Sequence, residues 1–138
     1  MQKLVIDANV LIRFLRADHP EHFQRARSLF QEAEIGNLRL VLLSSVLAEV
    51  VYVLTSVYQC ERSTLHQTLE PFWVHGGIEC PEKEVLQDAM QRFAATNLDY
   101  MDCYIAAYSV ANQLGVSSFD RDFRKFADVD WNVPGGSE

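Results

Sequence analysis

Leu4-Val5-Ile6-Asp7-Ala8-Asn9-Val10-Leu11 is a short apolar run, an acid and the start of a helical pattern. The uninterrupted apolar run predicts a strand that is covered on both faces. Apolar residues then recur at helical spacing as far as Leu15. The stretch therefore predicts a strand, a turn at Asp7 and a helix, which is the repeating unit of an α/β protein.

The same alternation continues along the chain. Residues 40–43, 78–80, 116–118 and 131–133 are predicted as further strands, and helices are predicted between them. Ser44-Ser45 offers an N-cap for one helix, and Pro71 is expected to end or bend another. We expect a three-layer α/β/α sandwich with a central parallel sheet of four to five strands, a single domain over residues 1–133 and a flexible tail at 134–138.

Composition limits the classes of function. Twelve Lys and Arg against nineteen Asp and Glu give a net charge of −7, the wrong sign for holding nucleic acid by phosphate neutralisation alone. Three cysteines without a Cys-x-x-Cys pair indicate neither a disulfide framework nor a zinc site, and no secretion signal precedes the first strand. Residues 38–58 approach the length of a membrane span but carry Arg39 and Glu49, so they are interpreted as a strand followed by a buried helix. We expect a cytoplasmic protein. Any nucleic-acid partner would bind it at a local site or through cations.

Two acids in the first half of the chain attract attention. Asp7 either caps the helix that follows it or serves as a ligand at the end of the strand. Glu49 has apolar neighbours around the helix, and an unpaired buried carboxylate costs several kcal/mol. Unless Glu49 faces solvent, it has a cation partner or lines a wet cavity.

Two further acids occupy equivalent places in the second half. Asp102 follows the predicted cap Asp99 by three residues, and Asp120 follows the strand at 116–118, with Asp122 as an alternative to Asp120. Ligands bind at the carboxyl ends of parallel strands, where Asp7 and Asp120 are expected. Carboxylates that gather at one edge repel each other unless a divalent cation neutralises them, and oxygen ligands suit Mg²⁺ or Mn²⁺. Metal-assisted phosphodiester cleavage is the chemistry that this set of acids predicts.

Four motifs together resemble a known family. They are Val-Ile-Asp7-Ala-Asn9-Val-Leu-Ile, Ser45-Val-Leu-Ala-Glu49-Val-Val-Tyr, Asp99-Tyr-Met-Asp102-Cys-Tyr-Ile-Ala-Ala and Ser118-Phe-Asp120-Arg-Asp122-Phe. In order and spacing the chain resembles PIN-domain ribonucleases of the VapC toxin type. The resemblance implies that Asp7, Glu49, Asp102 and Asp120 form the catalytic and metal-binding site, with Asn9 and Ser118 as polar accessories. Ser118 departs from the Thr often found there but keeps the hydroxyl, and Cys103 stands where Ala is common.

The resemblance also implies an activity and partners: a metal-dependent endoribonuclease, in which water activated at Mg²⁺ or Mn²⁺ attacks RNA, neutralised by an antitoxin. Arg13, Arg16 and Arg121 are candidates for RNA binding or, equally, for a solvated face. A homodimer is expected from the apolar helices, without an assigned interface. The four histidines, His19, His22, His66 and His75, lack metal-ligand spacing and are interpreted as surface or satisfied side chains.

Two other functions stay open. A catalytically idle module would use the same acidic rim to bind a basic protein segment, although the presence of all four acids speaks against it. An aspartyl phosphatase would need a second acid where Asn9 stands. A dinucleotide-binding protein is disfavoured because no Gly-x-Gly-x-x-Gly follows the first strand.

Overall fold

The computed structural model describes residues 1–74 and 76–136. His75 and the last two residues of the predicted tail, 137 and 138, lie outside the described residues. The chain divides into two compact units, Met1–Lys83 and Glu84–Glu138. Each unit is built around its own strands and helices.

The first unit contains a parallel sheet and four helices. Its elements are β1 (Gln2–Val5), α1 (Ala8–Arg16), α2 (Pro20–Glu34), β2 (Leu38–Val41), α3 (Ser44–Ser56), α4 (Arg62–Val74) and β3 (Ile78–Glu79). The strand order is β1-β2-β3. Leu4 aligns with Leu40, and Leu40 in turn aligns with Ile78. Because both pairs are parallel, the chain leaves all three strands at the same edge of the sheet.

Apolar residues of the predicted helices and of β2 form the core of the first unit, whereas the prediction that the first strand is covered on both faces is wrong, because Val5 is exposed. The side chains of Leu11, Leu40, Leu42, Leu47, Leu54, Leu65 and Leu69 are almost wholly buried. Phe14 packs against Phe30 at 4.6 Å between ring centroids, and both rings contact Phe72. These aromatic contacts join α1, α2 and α4.

The structure tests two predictions about helix ends. The N-cap prediction for Ser44-Ser45 is wrong, because α3 begins at Ser44 and the cap position belongs to Leu43, which makes no side-chain capping bond. Pro71 lies inside α4, which continues to Val74. The fourth helix therefore ends shortly after the proline and not at it.

The second unit contains two helices and a short parallel strand pair. Helix α5 (Lys83–Ala95) begins at the boundary between the units and is followed by α6 (Tyr100–Ala111), β4 (Val116–Ser117), a 3₁₀ helix (Arg121–Lys125) and β5 (Trp131–Asn132). Val116 aligns with Trp131 and Ser117 with Asn132. Small side chains line the buried face of α6, where Cys103, Ala106 and Ala107 are inaccessible to solvent.

The predicted α/β class with parallel strands is confirmed. The described residues contain five strands, and their hydrogen-bonded ladders divide into a three-stranded and a two-stranded sheet. Residues 38–58 form β2 and α3, as predicted. No helix within the described parts of the chain is long and apolar enough to cross a membrane.

Candidate active site

Asp7 connects β1 to α1. Its backbone is extended, and its Oδ1 atom accepts a hydrogen bond from the Val10 amide at 3.1 Å, so Asp7 is the N-cap of α1. The side chain is exposed, whereas the preceding Ile6 is buried. The capping interpretation of Asp7 is confirmed, and it leaves the carboxylate at the solvent-facing edge of the sheet.

Glu49 lies on α3, which starts at the same edge. Of the two alternatives for Glu49, the solvent-facing one is correct and burial is not, because the residue is exposed. Helix α3 has one solvent-facing stripe, formed by Ser45, Glu49, Tyr52 and Ser56. Each member lies three or four residues from the next, which places them on one face of the helix. The sequence does not reveal this stripe, because the neighbours of Glu49 in sequence are apolar. Only the packing of the helix shows which face meets the sheet.

In the second unit, three other carboxylates lie near enough to Asp102 to act on its charge: those of Asp120, Asp99 and Asp122. Asp102 lies in the first turn of α6 and is half-buried. Burial raises the pKa of its carboxyl group, and the negative charges of Asp120, Asp99 and Asp122 raise that pKa further. Asp99 occupies the N-cap position of α6 without a side-chain capping bond. The structure therefore brings Asp102 and Asp120 into one negative field, which disfavours the ionised form of Asp102.

Ser118 holds the backbone of the turn that leads to Asp120. Its Oγ atom accepts a hydrogen bond from the Asp120 amide at 3.0 Å, and its carbonyl accepts one from the Trp131 indole at 2.9 Å. Asp120 in turn accepts a bond from the Asp122 amide at 2.9 Å and caps the 3₁₀ helix. Asp122 is 3.8 Å from the Lys125 ammonium group, so part of its charge is compensated.

The predicted basic residues occupy three different surroundings. Arg13 is 3.6 Å from Asp18, whose pKa is lowered by a hydrogen bond from Tyr58. The Arg16 guanidinium lies over the Tyr58 ring at 4.6 Å from its centroid. Arg121 is exposed at the start of the 3₁₀ helix. Arg13 and Arg16 therefore help to hold the end of α1 against the end of α3, besides any role in binding.

A groove of about 440 Å³ opens beside Asp7, between α1 and α2. It is lined by Asp7, Asn9, Val10, Arg13, His22, Arg25, Ala26 and Leu29. The contribution of His22 and Arg25 was not predicted. Their spacing with Ala26 and Leu29 on α2 is the helical signal that indicates a common face.

The six acidic and polar residues of the candidate site thus fall in two groups. Asp7, Asn9 and Glu49 belong to the first unit, and Asp102, Ser118 and Asp120 belong to the second. Within residues 1–74 and 76–136, no three His, Cys, Asp or Glu side chains lie close enough together to hold a metal ion. Convergence of the four acids on one ion stays a prediction.

Comparison with known proteins gives two findings. A family model described as PIN domain matches residues 4–129. A VapC ribonuclease of Aquifex aeolicus (strain VF5) is 23% identical over 124 residues, which cover 88% of this chain and 90% of that protein. The family match spans all four acidic motifs and confirms the resemblance inferred from them.

Proposed function

The chain belongs to the PIN domain family, and we propose that it is a divalent-metal-dependent ribonuclease acting as the toxin of a toxin–antitoxin pair. The proposal rests first on the family match over residues 4–129, which spans all four acidic motifs, and next on the repulsion between half-buried Asp102 and the carboxylates of Asp120, Asp99 and Asp122. A folded protein gains nothing from such repulsion, so the cluster is best explained by a cation that offsets it. The similarity to a VapC ribonuclease supports RNA as the substrate.

The donor set fits Mg²⁺ or Mn²⁺. Asp7, Glu49, Asp102 and Asp120 offer only carboxylate oxygens, which are the ligands these hard cations prefer. Asp7 and Glu49 are exposed side chains of the first unit, and Asp102 and Asp120 supply the negative field in the second. We propose these four acids as the metal-binding and catalytic residues.

The chain's own residues then have distinct tasks. A bound ion would stabilise charge on the phosphodiester and activate the attacking water. Asp7 caps α1 through Oδ1 and would be one of the residues that hold the ion. Ser118 holds the Asp120 backbone, and Lys125 compensates Asp122, which favours Asp120 over Asp122 as the ligand. Asn9 borders the same groove as Asp7, where its amide would orient the substrate.

The partners follow from the same proposal. An antitoxin segment would inhibit by placing an Arg or Lys side chain among the acids, in competition with the metal. A homodimer and a cytoplasmic location complete the proposal; a reducing compartment is in keeping with cysteines that form no disulfide within residues 1–74 and 76–136. RNA reaches an acidic protein of this kind through the cation and through Arg13, Arg16 and Arg121.

A cleavage assay with purified protein tests the proposed activity. Mixed RNA is incubated with Mg²⁺ or Mn²⁺, and in parallel with excess chelator. We expect cleavage that requires the metal and is restored when the metal is added back. Intact RNA under all metal conditions, from a protein with a cooperative melting transition, would contradict the proposal and favour the idle binding module.

A further inference from the structure

The groove between α1 and α2 combines an apolar floor with a basic rim. Val10, Ala26 and Leu29 contribute apolar surface, while Arg13, Arg25 and His22 contribute nitrogen donors. Its volume of about 440 Å³ is within the range of sites for small organic ligands. A ligand with a flat apolar part and an anionic part matches both surfaces.

The basic rim is available to an anion. Arg25 is 4.0 Å from Glu21, but the two side chains are 76% and 84% exposed, and such a surface ion pair contributes little free energy. Arg13 faces Asp18 at 3.6 Å, and Asp18 also accepts a hydrogen bond from Tyr58 at 2.8 Å. A phosphate at the rim would therefore replace weak contacts of Arg25 and add to those of Arg13.

The imidazole of His22 offers a flat surface at the same rim. It stacks on His19, with ring centroids 5.5 Å apart and planes inclined by 17°. Unpaired bases of single-stranded RNA stack on aromatic side chains and on guanidinium planes. A nucleotide is the ligand that uses a stacking ring, two guanidinium groups and an apolar floor together.

We infer that the groove between α1 and α2 binds one nucleotide of a single-stranded RNA, next to the phosphodiester that is cleaved. The inference rests on the proposed function, because Asp7 is both a wall of the groove and a proposed metal ligand. Arg25 and Arg13 contact the phosphate of this nucleotide, and His22 stacks on its base. The groove thus holds the RNA in register with the acids of the first unit.

Arg25→Gln and Arg27→Gln form a matched pair for the test. Both arginines are exposed residues of α2, and only Arg25 lines the groove. Binding of a fluorescein-labelled single-stranded oligoribonucleotide is measured by anisotropy with Mg²⁺, in an Asp102→Asn background that prevents turnover. We expect Arg25→Gln to weaken binding about tenfold and to lower the salt dependence by about one phosphate contact, with less than about a twofold effect from Arg27→Gln. His22→Ala is expected to weaken binding about fivefold through lost stacking.

Cleavage by the otherwise unchanged chain separates the two proposals. We expect Arg25→Gln to raise KM about tenfold with little change in kcat, because the groove positions RNA and does not perform the chemistry. Cleavage with equal KM values for Arg25→Gln and Arg27→Gln would overturn the groove inference and leave the ribonuclease proposal intact. Binding that depends on Arg25, without any cleavage by the unmodified chain, would overturn the ribonuclease proposal and the placement beside a cleaved bond, and would leave nucleotide binding by the groove standing.

Two further outcomes also decide the matter. A chain that binds no RNA overturns both proposals. A poly-glutamate peptide that binds in an Arg25-dependent manner, while RNA binding does not respond to Arg25→Gln, would assign the groove to an acidic protein segment and overturn the nucleotide inference.

Discussion

Asp102 and Asp128, both in the second unit, have opposite electrostatic surroundings. The pKa of Asp128 is lowered by hydrogen bonds from Arg92, one of them 2.9 Å between Nη1 and Oδ1. Arg92 also contacts Asp88 at 3.1 Å and lies over the Phe126 ring at 5.0 Å from its centroid. The pKa of Asp102, in contrast, is raised by burial and by the charges of three nearby carboxylates.

The difference distinguishes an acid that stabilises the fold from an acid that serves chemistry. Around Arg92, two carboxylates share one guanidinium, and the hydrogen bonds are satisfied within the protein. Around Asp102, negative charge accumulates, which costs stability in the metal-free protein. We expect the first cluster to matter for folding and the second for cation binding.

The largest expected effect is on activity. Asp102→Asn should lower metal-dependent RNA cleavage by roughly 100-fold or more, since even outer-shell changes around a metal typically cost 10–100-fold. The same change should leave the melting temperature equal or higher, because it removes a repelled charge. Asp128→Asn is the control: cleavage stays within about twofold of the unmodified chain, and stability falls by less than about 1 kcal/mol with the loss of a partly exposed ion pair. Equal rates of RNA cleavage by Asp102→Asn and Asp128→Asn would contradict the assignment of one cluster to chemistry and the other to folding.

The next effect concerns metal-linked stability. A ligand that binds only the native state stabilises it by about 2.7 kcal/mol at about 100 times Kd, which raises the melting temperature of a domain of this size by several degrees. We expect Mg²⁺ or Mn²⁺ to raise the melting temperature of the unmodified chain and of Asp128→Asn alike. Asp102→Asn and Asp120→Asn should respond much less. Melting curves in chelator and in millimolar metal would refute a shared metal site if the unmodified chain shows no response.

The smallest effect is the pH dependence of stability without metal. A folded-state pKa above the unfolded value of about 3.9 means that Asp102 destabilises the fold as pH rises through its folded pKa. Asp102→Asn should therefore be the more stable chain at pH 7, and its advantage should disappear as pH falls toward the unfolded pKa. The effect of Asp128 on stability has the opposite sign. Its stabilising contribution is present above the unfolded pKa and is lost as pH falls through the lowered folded pKa.

Denaturant titrations between pH 3 and pH 7 measure both differences. We expect each to be under about 1 kcal/mol, because both groups are partly exposed. Differences of the same sign at pH 7 would contradict the contrast drawn between the two clusters.

The sequence alone predicted the order of the elements and the family. Apolar runs such as Leu4 to Ile6 and helical periodicity after Asp7 are local signals, since residues close together in the sequence carry them. The acidic motifs were recognisable for the same reason. Asp7 and Asp120 precede helices and Asp102 lies in the first turn of one, and such positions are visible in the sequence.

The tertiary structure decided which face each helix turns toward its core. It thereby decided which charged side chains are buried and how their pKa values shift. Glu49 looked buried because its neighbours in sequence are apolar, yet the packing of α3 leaves the stripe through Ser45 and Tyr52 in solvent. His22 and Arg25 acquire a common groove only when α2 packs on α1. Asp102 and Asp128 are the same residue type with oppositely shifted pKa values, because burial and the charges of groups distant in sequence act through space and are not encoded in any local pattern.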